Sequence, residues 1–266
     1  MIPIRDANPT RRTPWITLVL VAANVLVFLV WQPTFGDPAE QQAFFYCNAE
    51  IPWEVSHQTN LASGGTQARQ ALSAEFGSGA GRDIQGFLQR ECPSKSWLAS
   101  VFVAMFLHGG WLHIAGNMLF LWVFGNNVED RLGRLLFVAF YVLGGLAAML
   151  LQLAVDVDST LPTVGASGAI AAVLGAYLVL VPRARVPTLV IFFFITWIQL
   201  PAWIVLAGWF VLQVFSGVGQ LGTELSGGVA YWAHVGGFAF GAGSVWLFLR
   251  GRRRPRASLP PRPDYS

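Results

Sequence analysis

Long apolar runs, broken by short turns that carry arginine, leave this chain few folds to choose from. The runs lie at roughly 15–31, 111–125, 133–154, 167–181, 200–216 and 229–249. Lipid cannot satisfy backbone amides and carbonyls, so such runs are expected to form helices that pair these groups internally. Several approach the ~20 residues that span a bilayer, whereas 111–125 and 167–181 are short. A helix that starts below the outer surface leaves room for water above it. Composition agrees: 12% of the residues are charged and the mean hydropathy is +0.52, whereas soluble domains carry about 25% charge.

Charge sets the orientation. Thirteen of the 17 basic residues fall at the N-terminus, in the turns Arg131–Arg134 and Arg183–Arg185, and from Arg250 onward. With six spans all thirteen lie on one side, as the positive-inside rule requires, so both termini are expected to be cytoplasmic. Ten of the 14 acidic residues fall on the other side. The apolar stretch Thr188–Leu200, between Pro187 and Pro201, is too short to span and reads as an interfacial segment or the tilted start of the fifth helix. The net charge of +3 follows from topology and gives no reason to invoke nucleic acid. No A-x-A-like site follows the first run, so it is expected to be a retained span.

The expected organisation is a cytoplasmic segment 1–14, a first span 15–31, an extracytoplasmic loop 32–110 with a partly membrane-immersed end, a core 111–250, and a basic, disordered tail 251–266. Ala62–Gly86, rich in Gly, Ser, Ala and Gln, reads as a mobile excursion. Ser216–Gly228, with five glycines, reads as a flexible cap. Cys47 and Cys92 both lie in the long loop, where a disulfide is allowed. Sixteen of the 17 basic residues are arginine, a hint of a GC-rich genome, and the expected location is a bacterial plasma membrane.

Polar residues gather at one depth. Ser167 precedes Arg183 by 16 residues and His234 precedes Arg250 by 16, which places both about 24 Å along their helices. His113 and Asn117, one helix face at i, i+4, bracket the same level. Polar groups in lipid are costly, so their meeting in one layer points to a site. A serine among small residues also serves helix packing, and a buried histidine often only bonds a neighbouring helix. Yet Pro162 and Gly165 let an irregular backbone descend to Ser167, which then sits at a helix N-terminus that favours an anion. Gly237 and Gly241 give the His234 helix a close-packing face, and an imidazole brought to Ser167 can act as its base. Asn117, His113 Nε2–H and the Ser167 amide can stabilise an oxyanion. His108, with His113 and His234, offers a zinc alternative. Zinc hydrolases mostly recruit a carboxylate, however, and none lies at this depth, so no metal is expected. The acids between Leu98 and Arg250 all fall in turns, which leaves a Ser-His dyad. The same lack weakens a transporter reading.

His108-Gly109-Gly110-Trp111-Leu112-His113-Ile114-Ala115-Gly116-Asn117, Gly165-Ala166-Ser167-Gly168, and Ala233-His234-Val235-Gly236-Gly237 with Gly241 closely resemble the rhomboid intramembrane serine proteases. The turn Glu129-Asp130-Arg131-Leu132-Gly133 also looks like the family's, and the resemblance covers roughly 97–250. It implies an all-α membrane protein, a six-helix bundle around a water-filled cavity, with Ser167 as nucleophile and His234 as general base. His113, Asn117 and the Ser167 amide would hold the oxyanion, with Gly165, His108, Gly237 and Gly241 in support. Transmembrane protein substrates and the lipid bilayer are the implied partners, with no cofactor and no metal. A pseudoprotease that binds clients without cutting them is the alternative. Some members carry an aromatic residue four after the nucleophile, where this chain has Ala171, so the group that orients His234 is open, with Trp232 and Phe238 as candidates. Many members also show a Trp-Arg pair in the first loop, where this chain has Trp97-Leu98.

Overall fold

The computed structural model describes residues 2–4, 7–191, 195–220 and 229–251. A short strand, β1 (Ile2–Pro3), precedes helix α1 (Trp15–Leu26), which runs on through a π turn to Trp31. The loop that follows folds into α2 (Pro38–Asn48), α3 (Pro52–His57), α4 (Gly65–Phe76) and α5 (Ser78–Glu91). A bent pair comes next: α6 (Trp97–Val103), and then α7 (Trp111–Phe120), which continues through a π turn into α8 (Asn126–Leu132). α9 (Arg134–Val155), α10 (Ser167–Leu180), strands β2 (Arg185–Ile191) and β3 (Ile195–Pro201), α11 (Ala202–Gln220) and α12 (Tyr231–Gly251) complete the order.

By length and composition α9, α11 and α12 can each cross a membrane; α6 with α7–α8, bent by 77°, is a fourth candidate. The helices at Trp15–Trp31 and Ser167–Leu180 are apolar but shorter. The chain is therefore an integral membrane protein. α10 is apolar on every side, and every residue from Gly168 to Tyr177 is buried, as expected of a helix at the centre of a bundle. At the N-terminus of α1 the free amides meet a carboxylate. Glu129, buried on α8, accepts from Ile16 N (3.1 Å), Thr17 N (2.8 Å) and Thr17 Oγ1 (2.8 Å). That is a helix cap supplied from another helix.

Four expectations need correction. The fold is mostly helical rather than all-α, because Thr188–Leu200 is not the start of the fifth helix. It forms most of an antiparallel hairpin, Arg185 pairing with Pro201 through Ile191 with Ile195, and β1 adds a third strand in the order β1-β2-β3. The β-branched run Val186, Thr188, Val190, Ile191, Ile195, Thr196, Ile198 explains the preference. Ala62–Gly86 is not an excursion: it supplies α4 and much of α5, with Leu72 and Leu88 buried against Tyr46, Ile51, Trp53 and Leu61. Glu129 is not in a turn between helices but buried within α8. Finally, α11 reaches Gln220, so Gly217 and Gly219 are helical. Gly222, Gly227 and Gly228, like the tail from 252, lie outside the described residues.

The loop helices carry their own staples. Cys47 and Cys92 are disulfide-bonded across 45 residues. Lys95 Nζ forms a buried ion pair with Glu54 (2.7 Å) and donates to the Tyr46 carbonyl (2.9 Å). Replacing Cys92 by serine is expected to destabilise this segment by about 4 kcal/mol, the loop-closure contribution of a ring this size. Hydrogen exchange of the α4 and α5 amides measures it, and unchanged protection contradicts it. The segment is also tied to the helical core: Thr163 N donates to the Glu50 carbonyl (2.7 Å) and Trp53 N to that of Ser159 (3.0 Å).

Candidate catalytic site

Ser167 is the first residue of α10, preceded by a loop that hangs on the turn after α6 through Gly165 N and the Ala104 carbonyl (2.9 Å). Gly165 has φ of 131°, a backbone that side chains rarely tolerate. A Cβ there would also sit 2.9 Å from His113 Nε2 and 3.3 Å from Ser167 Oγ. The glycine thus holds open the small space into which both groups project.

His234, in the first turn of α12, lies with Nε2 2.8 Å from Ser167 Oγ. Two glycines make that approach possible. A Cβ on Gly237 would overlap the Gly168 carbonyl, and one on Gly241 the Ala172 carbonyl, so α12 rests directly on the α10 backbone. On its other side the ring meets Gln213 of α11, whose Oε1 is 2.7 Å from Nδ1. An amide oxygen only accepts, so Nδ1 carries the proton and Nε2 keeps its lone pair toward the serine hydroxyl. Trp209 and Tyr231 flank the ring at 5.7 and 6.4 Å between centroids.

Gln213 is the residue the sequence reading missed. Its signal was present: an amide inside the apolar run of α11, one turn before Ser216 on the same face. Trp232 Nε1 makes no hydrogen bond among the described residues. Phe238 stands one step removed, packed on Trp209. Ala171 is fully buried, and a Cβ on Gly237 would lie 3.3 Å from its methyl, so an aromatic ring has no room there. Ring support comes from α11 instead.

His113 receives the Gly109 N–H at Nδ1 (3.2 Å), which leaves its Nε2 as the protonated nitrogen aimed at Gly165. Asn117, one turn along α7, is buried, and its Nδ2 has no hydrogen-bond partner among the described residues. A buried idle donor is costly and asks for a reason. His108 is fully buried with its ring 5.1 Å from that of His113. Gln32 clamps the backbone of His108 from both sides, accepting from its N–H (2.9 Å) and donating to its carbonyl (2.7 Å). Gln32 is a second residue that spacing could not reveal. Among the described residues no three His, Cys, Asp or Glu side chains are placed to hold a metal.

A cavity of about 50 Å³ adjoins the serine, lined by Ser167, Gly165, Gly168, Thr163, Gln152 and Glu50 among others. A larger one, about 310 Å³, lies beside it and shares Gln152, Thr163, Val164 and Ala230. The arrangement can deprotonate a serine hydroxyl at a helix N-terminus and offers N–H donors beside it.

Residues 95–251 match the rhomboid domain. RHOMBOID-like protein 5 of Arabidopsis thaliana is 34% identical over 176 residues, 65% of this chain and 53% of that protein. The mitochondrial presenilin-associated rhomboid-like protein of Mus musculus is 29% identical over 166 residues, 59% of this chain and 39% of that one. RHOMBOID-like protein 4 of Arabidopsis thaliana is 27% identical over 228 residues, 86% of this chain and 51% of the relative. The chain thus spans about half the length, or less, of these curated relatives. The motifs and the domain match over 95–251 agree, and the chain belongs to the rhomboid family.

Proposed function

We propose that the chain is an intramembrane serine endopeptidase that cuts transmembrane protein substrates within or next to their membrane span. The 2.8 Å contact between His234 Nε2 and Ser167 Oγ carries this reading. In this mechanism Ser167 Oγ attacks the scissile carbonyl carbon as its proton passes to His234 Nε2. The tetrahedral oxyanion takes hydrogen bonds from His113 Nε2–H, Asn117 Nδ2–H and the Ser167 amide, whose position at a helix start adds the dipole. Collapse expels the amine, which receives the proton from His234, and leaves an acyl-enzyme that water opens by the same steps in reverse roles. Gly165, Gly237 and Gly241 let these groups converge, and His108 braces the turn before His113.

The catalytic pair is a dyad held by an amide rather than by a carboxylate. A neutral Gln213 fixes the tautomer without stabilising an imidazolium as an anion would. Gln213→Leu is therefore expected to lower kcat about tenfold with KM little changed. An unaltered kcat contradicts the role given to Gln213.

Six spans with both termini cytoplasmic remain the topology we propose, on the distribution of arginines. We place the chain in a bacterial plasma membrane on its arginine-rich usage, although the relatives named with a location are mitochondrial. The function is tested by incubating purified protein and Ser167→Ala with a panel of fluorescent single-span substrates. Cleavage by the first and not the second is expected. Equal cleavage by both excludes the assignment, and client binding without cleavage by either favours a pseudoprotease.

A further inference from the structure

The cavity beside Ser167 has one wall that the rhomboid domain does not supply. Glu50 belongs to the helical loop segment, outside the matched residues 95–251, yet it lines the same 50 Å³ cavity as Ser167 and is buried. It reaches that place because its backbone bridges Thr163, two residues before Gly165. We propose that Glu50 is a specificity-determining residue, favouring a substrate with a small hydroxyl-bearing side chain, serine over alanine, at the position next to the cleaved bond that enters this cavity. The inference rests on the proteolytic reading of Ser167.

Size and chemistry both support it. The cavity, about 50 Å³, is walled mostly by Ala, Gly, Val and Met. Its polar side chains are Glu50, Gln152, Thr163 and Ser167. Gln152 spends its oxygen on the Ala233 amide (3.3 Å), and Ser167 is engaged with His234. Glu50 is bridged to Thr163 through the backbone, and a carboxylate accepts several bonds, so capacity remains for a substrate hydroxyl. The neighbouring charges do not neutralise it: Lys95 is paired with Glu54, leaving two carboxylates around one ammonium. Burial pushes Glu50 up to about 7, with Thr163 and Lys95 pulling down and Glu54 pushing up. Above that pH it is ionised and accepts the substrate hydroxyl more strongly; below it the contact is between neutral groups.

Paired single-span substrates, with serine or alanine at that one position, test the proposal through the ratio of their kcat/KM values. A ratio cancels any change in the folded fraction. Wild type is expected to prefer serine about tenfold, a preference that grows from about pH 6 to about pH 8. Glu50→Leu is expected to bring the ratio to about one, and Glu50→Gln to keep a preference that no longer changes with pH. A ratio unmoved by Glu50→Leu, or a wild type without preference, overturns the inference. Both results leave the serine assignment intact if cleavage still depends on Ser167; only cleavage that survives Ser167→Ala removes that assignment as well.

Discussion

Replacing His234 by alanine is expected to lower turnover about 10⁴-fold while the protein stays folded and inserted in the membrane. The size follows from what the ring does. A serine hydroxyl is a weak nucleophile until a base takes its proton, and Nε2 is the base within reach, 2.8 Å from Oγ. Gln213 cannot substitute, since a neutral amide does not take protons. The fold survives because α12 is held by Gly237 and Gly241 against α10 and by Phe238 against Phe210, not by the imidazole. Ser167→Ala combined with His234→Ala is expected to be no worse than either alone, because each removes the same step. Turnover and melting of the detergent-solubilised variants check this. A loss below tenfold, or additive losses in the double variant, contradicts a shared step.

Gly241→Val has the largest expected effect on stability. The new side chain would drive into the Ala172 carbonyl, which belongs to a helix backbone and cannot rotate away. The helices must separate, and the expected cost is about 3 kcal/mol or more, at or above the upper end of overpacking effects. Separation also withdraws His234 from Ser167, so activity falls further than stability. Gly243, two residues on, has open space around its Cβ position, and Gly243→Ala is the control expected to change little. Thermal unfolding of both in detergent decides. Equal stability of Gly241→Val and wild type contradicts the close contact.

Site and scaffold differ in how far the sequence reveals them. The meeting of Ser167 with His234 was legible because a charged residue inside lipid is so costly that arginines mark the membrane edge, and depth can be counted from them. The close-packing glycines were legible for a related reason, since small residues are what let helix backbones touch in lipid. Gln213 was not, because its meaning depends on which element the polar face of α11, Gln213 with Ser216 and Gln220, turns toward. The hairpin at 185–201 was hidden by its length: a short apolar run flanked by prolines suits a strand and a membrane-surface helix equally, and only pairing across the turn separates them. The order of 62–86 was hidden by small residues. Ala68 and Leu72 look too sparse to form a core until Trp53, Leu61 and the 47–92 disulfide close around them.

The central proposition is that a buried imidazole makes the Ser167 oxygen nucleophilic. Covalent trapping reads that directly: protein in detergent is treated with a fluorophosphonate and the adduct is located by peptide mass. One adduct is expected, on Ser167, forming in the wild type and not at a measurable rate in His234→Ala. Labelling of His234→Ala at the wild-type rate, or no adduct on Ser167 in the folded wild-type protein, would contradict it.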